Sequence, residues 1–266
     1  MATYAVSDLH GQYDLFEKGL KEINFSDKDF LYVIGDAIDR GPAGIKILQH
    51  IMNAENMDFL LGNHEIMMLD SVASDGSDTC NGNSTDLWLW YNGGAKTFEE
   101  YCTLSLKERQ QLLEWLNNRY LIKVLDLQKH NFVLTHSYYI QGYANIPYKN
   151  IPYQDADKIV WNSMFRRDYD THCENIYKDY PECTFITGHV AVQYITRKPC
   201  TGSYRQGNFI NIDGGLAHRD EYFKSSAIFY NLDEDKEFII PYTDSRVAKL
   251  TMAELEKLLD SASKEE

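Results

Sequence analysis

The sequence predicts an α/β sandwich: two mixed β-sheets packed face to face, with helices outside. Three observations carry that expectation. Residues 3–71 hold three strand-turn-helix units in succession, which implies a parallel sheet with covering helices. Residues 121–242 are mainly strands, yet no flexible linker separates them from the first half. Polar residues suited to ligands stand at strand ends in both halves, so one domain accounts for both. At 266 residues the chain lies just above the size at which a single core stops growing. Residues 1–245 are expected to form the domain, and 246–266 a C-terminal helix and charged tail. No repeat of solenoid period is present.

Residues 3–7 read as a short strand that the turn Asp8-Leu9-His10-Gly11 leaves. Residues 12–23 follow with Leu15, Phe16, Leu20 and Ile23 at helical spacing. A second strand, 30–34, runs into Gly35-Asp36-Ala37-Ile38-Asp39-Arg40-Gly41, and a helix carrying Ile45, Leu48, Ile51 and Met52 on one face succeeds it. A third strand, 58–61, ends in Gly62-Asn63-His64-Glu65 and a third helix. In parallel sheets ligands collect at the carboxyl ends of the strands, where all three turns fall.

Residues 70–86 are rich in Gly, Ser, Asn and Asp and predict an exposed loop. Residues 87–101 are aromatic and interrupted by Asn92-Gly93-Gly94, which predicts two short helices. Ser105 and Glu108 form a capping box for a helix reaching Asn118. Residues 121–127 and 131–135 read as antiparallel neighbours turning near 128–130, the second delivering His136. Residues 141–154 lack periodicity, and 155–164 read as a helix. Strands are expected at 184–187, 193–196, 209–212, 226–232 and 237–242, with a last helix from the capping box at Thr251 and Glu254.

A net charge of −14 disfavours duplex nucleic acid as a partner, and no basic patch overrides it. Phosphorylated substrates stay compatible, because bound metal ions reverse the local field of an acidic protein. The five cysteines are scattered and never in Cys-x-x-Cys spacing, which argues against a thiolate zinc site or disulfide framework and fits a reducing cytosol. No apolar run approaches membrane-spanning length, so a cytoplasmic location and no membrane partner are expected.

Asp8, His10, Asp36, Asn63, His136 and His189 each close an expected strand. Carboxylate, imidazole and amide groups without thiolates suit manganese, iron or zinc. Two such ions about 3.5–4 Å apart would share a bridging ligand and hold a hydroxide between them. Each motif alone has a structural explanation, a helix cap or a satisfied core histidine; together, at one end of a sheet, they do not. His50, His130, His172 and His218 close no strand and take the structural explanation.

The blocks Asp8 to Gly11, Gly35 to Gly41 and Gly62 to Glu65 resemble the three signatures of the phosphoprotein phosphatase family of binuclear metallophosphoesterases. Asn92-Gly93-Gly94, Val160-Trp161-Asn162 and Asn211-Ile212-Asp213 resemble its bacterial and phage branch, which includes bacteriophage lambda protein phosphatase and symmetrical diadenosine tetraphosphate hydrolases. The resemblance implies a calcineurin-like fold and two divalent metal ions, manganese first, with iron or zinc as alternatives. It implies that Asp8 and His10 bind the first metal, that Asp36 bridges, and that Asn63, His136 and His189 complete the second. His64 would be the general acid, Asp39 would orient it, and Arg40 would grip phosphoryl oxygens, as a planar guanidinium does well.

The implied activity is hydrolysis of a phosphoester by in-line attack of metal-bound hydroxide. Phosphoserine or phosphothreonine in proteins is the preferred substrate class. Symmetrical diadenosine tetraphosphate and small phosphomonoesters are the alternatives. A phosphate-binding module without turnover belongs to a different class, and the presence of His64 and Asp39 disfavours it. Three positions depart from the family. Ser137-Tyr138-Tyr139 put bulk beside His136. Ser163 stands where the phage relative has a phosphate-binding arginine, which leaves Arg166 or Arg167 as candidates for that contact. Val190-Ala191 follow His189.

Overall fold

The computed structural model describes residues 1–127, 130–164, 176–220 and 222–243. Arg166, Arg167, His172, the turn residues 128–129 and the expected helix from Thr251 lie outside those residues.

The three leading strand-turn-helix units form as expected. Strands β1 (Thr3–Ser7), β2 (Phe30–Ile34) and β3 (Met57–Leu60) pair in parallel. Helices α1 (Tyr13–Glu22), α2 (Gly44–Met52) and α3 (Asn63–Ser71) follow them in turn. Strands β9 (Ser226–Asn231) and β10 (Lys236–Pro241) extend the sheet antiparallel beside β1, in the order β10-β9-β1-β2-β3. The second sheet contains β4 (Ile122–Leu127), β5 (His130–Thr135), β6 (Cys183–Thr187), β7 (Tyr204–Gln206) and β8 (Phe209–Asn211). Its order is β4-β5-β6-β8-β7, with β5, β6 and β8 parallel.

Side chains alternate across each strand, which lets both faces of each sheet bury apolar surface. Ala5, Ile34, Leu60 and Ile228 of the first sheet meet Leu125, Leu134, Ile186 and Ile210 of the second in one inter-sheet core. Their neighbours Val6, Val33, Phe59, Val133, Phe185 and Phe209 face the opposite way, into a core shared with the helices. Phe16, Ile45 and Leu48 come to that core from α1 and α2, and Ile159 and Val160 from α6 (Tyr153–Trp161). The sandwich therefore follows from period-two apolar patterning in both halves.

Residues 87–102 give two short helices: a π-helical turn, Leu87–Tyr91, and α4 (Ala95–Cys102). Helix α5 (Leu106–Asn117) opens on both halves of the Ser105 and Glu108 capping box. Three local expectations differ. Residues 193–196 belong to helix α7 (Val192–Thr196), not to a strand. Their β-branched and aromatic residues suggest extension, but Val192 and Ile195 bury one face at i and i+3 while Thr196 Oγ1 donates back to the Val192 carbonyl. Strand β7 was not expected, and His130 opens β5 instead of lying in a turn. The four described cysteines are free, and no described helix is long and apolar enough to cross a membrane.

Helix α2 has no side-chain cap of its own. The Glu100 carboxylate of α4 serves instead, accepting Ile45 N–H and Lys46 N–H at 2.9 Å each. Replacing Glu100 by Ala should therefore destabilise the fold by about 1 kcal/mol. A urea titration checks this as a lower midpoint at unchanged slope.

Candidate metal centre

Pairing of β1 with β2 continues past the strand ends. Asp8 N–H donates to the Gly35 carbonyl (3.1 Å), His10 N–H to Asp36 (2.9 Å) and Gly11 N–H to Ala37 (2.8 Å). These turns carry unusual backbone: φ is positive at Asp8 (52°), His10 (42°), Asp36 (52°), Asp39 (69°), Arg40 (64°) and, in the second sheet, His189 (69°). Left-handed conformations are disfavoured for residues with a side chain and concentrate at functional sites.

What holds the turns is Glu65, fully buried in the first turn of α3. Its carboxylate accepts Asp36 N–H, Ala37 N–H and Gly62 N–H at 2.9 Å and Ile38 N–H at 3.3 Å. Gly62 is there because a Cβ at that position would meet Asp36 Oδ1 at 2.1 Å. The two turns thus touch backbone to carboxylate, with no room for a side chain between them.

Asp36 lies at the centre. His10 Nε2 and His64 Nε2 are each 3.8 Å from its Oδ2, and His136 Nε2 is 3.4 Å away. Two groups could hold a metal ion, His10 with Asp36 and His64, and Asp36 with His136 and His189. Asp36 belongs to both. Asn63 joins the second group: its Oδ1 lies 3.1 Å from His136 Nε2 and 3.1 Å from His189 Nδ1. Asp8 joins neither group directly; its carboxylate accepts the His189 N–H, at 3.1 Å to each oxygen. Strands of both sheets deliver these residues, His136 following β5 and His189 following β6.

Backbone carbonyls orient two of the rings. His10 Nδ1 donates to the Ile38 carbonyl (3.1 Å) and His136 Nδ1 to that of Ile34 (3.2 Å). Both Nε2 atoms are left toward Asp36, as metal-ligating histidines require. Burial, reinforced by the neighbouring His64, holds His10 well below the usual imidazole range, and burial with His136 brings His189 down to about 3. Both are neutral, the form that binds metal. Burial opposes protonation of His136, but adjacent Asp36 pulls it up to about 10. For Asp36 burial acts upward, and the nearby His136 and His64 hold it well below the usual carboxylate range. Burial raises Asp8 and, to about 6, Asp213. Buried carboxylate, imidazole and amide groups converge here on one shared carboxylate, a donor set that fits two divalent ions.

His64 is held differently. Its Nδ1 lies 2.6 Å from Asp39 Oδ2. Although burial opposes it, Asp36 and Asp39 raise its pKa, favouring a protonated ring. Arg40 lines the same cavity with a buried Nε that has no partner, and no described carboxylate pairs with its guanidinium. The cavity, about 300 Å³, is lined by His10, Asp36, Arg40, Asn63, His64, His189, Asn92, Trp161, Asp213 and His218, among others. A larger side cavity of about 540 Å³ shares Tyr194 and His218 with it and adds Arg197, Phe223 and Gln193.

Of the expected site residues, His10, Asp36, Arg40, Asn63, His64 and His189 line this cavity, Asp8, Asp39 and His136 contact its lining residues His189, His64 and Asp36, and Arg167 lies outside the described residues. Neither tyrosine after His136 lines the cavity, and the Tyr139 ring packs on Tyr180 and Phe185. Sequence reasoning missed Glu65 as the tie between turns, Trp88 against Asp39, and His218 in the wall. It also missed how Asn211-Ile212-Asp213 acts: Asn211 Nδ2 donates to the Gly188 carbonyl beside His189. The aromatic run at 87–91 was the available signal for Trp88, and nothing local marked His218.

Serine/threonine-protein phosphatase 2 of Salmonella typhimurium is 29% identical over 211 residues, covering 77% of this chain and 89% of the relative. The symmetrical bis(5'-nucleosyl)-tetraphosphatase of Buchnera aphidicola is 30% identical over 139 residues, 52% of this chain and 44% of the relative, so the match spans less than half of that protein. The cold-active protein-tyrosine phosphatase of a psychrophilic Shewanella shares the fold, with a TM-score of 0.55 over 90% of this chain and 80% of the other at 15% identity. Residues 1–221 match the calcineurin-like phosphoesterase family, to which this chain therefore belongs as a metallophosphoesterase, a hydrolase.

Proposed function

We propose that this protein is a binuclear metal-dependent serine/threonine protein phosphatase. The observation that carries the reading is the Asp36 carboxylate, shared by two histidine groups in a cavity that also presents Arg40, which meets no carboxylate among the described residues. The match to a protein phosphatase over 89% of that relative's length supports phosphoprotein as the first substrate class.

In this reading Asp8 and His10 hold one ion, Asn63, His136 and His189 the other, and Asp36 is common to both. Bound there, two divalent ions would bring a water's pKa toward neutrality and offset phosphoryl charge. Arg40 grips two phosphoryl oxygens through its planar fork. His64, protonated and aimed by Asp39, donates a proton to the leaving oxygen. Manganese is the first choice of metal, with iron or zinc as alternatives.

A second reading, symmetrical hydrolysis of diadenosine tetraphosphate, draws on the side cavity. Tyr194, Phe223 and Arg197 there are the residue types that stack on a base and hold a phosphate.

Stripping the protein with a chelator and restoring manganese should switch on hydrolysis of a phosphoserine peptide, diadenosine tetraphosphate or p-nitrophenyl phosphate. No metal-dependent turnover of any of the three would overturn the enzyme reading, and the ratio of rates assigns the substrate. His64→Ala should lower turnover of the phosphoserine peptide by about 10²–10⁴-fold with metal content unchanged; lost metal would instead make His64 a ligand. Gly62→Ala should push Asp36 aside and weaken manganese binding by roughly 10–100-fold, measured by calorimetry on the folded variant.

A further inference from the structure

We propose that Trp88 is a positioning residue for the proton donor, and that through it the enzyme gains its ability to cleave esters with poor leaving groups. The proposal rests on the reading of His64 as general acid.

The geometry is a relay of three side chains. Trp88 Nε1–H donates to Asp39 Oδ2 at 2.9 Å, and the same oxygen lies 2.6 Å from His64 Nδ1. One carboxylate oxygen therefore receives two donors, while Asp39 Oδ1 is buried with no partner. With no hydrogen bond to Oδ1 among the described residues, the polar contacts that orient the carboxylate all fall on Oδ2. The indole sets the carboxylate plane, and the carboxylate sets the His64 ring.

The indole is built into its place. Trp88 is fully buried, whereas Trp90 and Tyr91 of the same π-helical turn are 71% and 81% exposed. Isolated π-helical turns recur at functional sites. Trp88 N–H donates to the Ser84 carbonyl (2.8 Å), and the Trp88 carbonyl accepts Gly94 N–H (2.9 Å). Gly94 lets the chain pass against the ring, since a Cβ there would lie 2.5 Å from the indole nitrogen. Phe98 meets the ring edge-on at 6.2 Å.

In the step concerned, the oxygen of a water forms a bond to phosphorus and the bond from phosphorus to the ester oxygen breaks. The released electron pair stays on the leaving oxygen, which takes the proton from His64 Nε2, while the protons of the attacking water leave with the phosphate product and His64 regains a proton from solvent. An alkoxide leaving from phosphoserine is strongly basic and needs that proton; nitrophenolate does not. A buried indole that merely satisfies its N–H would make no such distinction between substrates.

The test compares a phosphoserine peptide with p-nitrophenyl phosphate on the manganese-loaded full chain. Trp88→Phe keeps an aromatic ring at the position and removes the N–H. It should lower kcat for the phosphoserine peptide by about tenfold or more, as for a lost hydrogen bond to a charged group. On p-nitrophenyl phosphate kcat should stay within about threefold, with KM and metal content unchanged on both substrates. Gly94→Ala keeps the tryptophan but crowds its nitrogen, and should give the same selective loss; it carries the test if Trp88→Phe fails to fold. Equal losses on both substrates, or no loss, would overturn the proposal. His64→Ala serves as the control. If it fails to discriminate between the substrates, the acid reading falls and this proposal with it; if it alone discriminates, only the role of Trp88 falls.

Discussion

The buried carboxylate of Glu65 is the constraint on which the rest of the site depends. It gathers four backbone N–H groups from two turns that are 24 or more residues from each other in sequence order, at Asp36, Ala37, Ile38 and Gly62. Burial pushes this carboxyl up to about 7, against those donors, which favour the ionised form. The turns it joins contain residues in left-handed backbone, each costing on the order of 1–3 kcal/mol. Such conformations persist only where surrounding bonds leave no alternative, and Glu65, with the continued β1 to β2 pairing, supplies those bonds. A flexible turn could present the same side chains but could not hold them within a few tenths of an ångström.

The second constraint is charge. Asp8, Asp36 and Asp213 are buried within one cavity region with His10, His64 and His136. Ionised groups cannot be left uncompensated in such a medium, so protons are redistributed: His136 is pulled up to about 10 by Asp36 while His10 and His189 stay neutral. An acidic chain that concentrates both carboxylates and neutral imidazoles in one cavity is organised to receive cations. The same arrangement explains how a protein of net charge −14 can draw in an anionic phosphoester: the field inside the cavity need not follow the average.

The site also depends on closure of the sandwich. Asp36 and Asn63 come from the first sheet, His136 and His189 from the second, and the inter-sheet core of Ile34, Leu60, Leu134 and Ile186 lies directly beneath them. Packing at that core and geometry at the rim are therefore one problem. A cavity in the core displaces one set of donors against the other.

Much of this was legible in the sequence, and the limits are physical. Strands β1 to β6 and β8 to β10 and helices α1 to α6 follow from apolar spacing, turn residues and caps, which act over a few residues. The motif turns could be placed at strand ends for the same reason, and the family resemblance drew on those turns. Where tertiary contacts outweighed local preference the expectation failed: 193–196 became helical because Val192 and Ile195 had a core to bury into. Trp88 against Asp39, 49 residues apart, and His189 against Asp8, 181 apart, were beyond any local pattern. His218 entered the cavity wall only because the loop after β8 folds back beside α7. By itself the sequence determined which residue types stand at the strand ends, since hydrophobic periodicity is written along the chain. Only the tertiary structure decided which of them share a carboxylate, which orient one another and which face substrate, because those relations arise when distant segments pack.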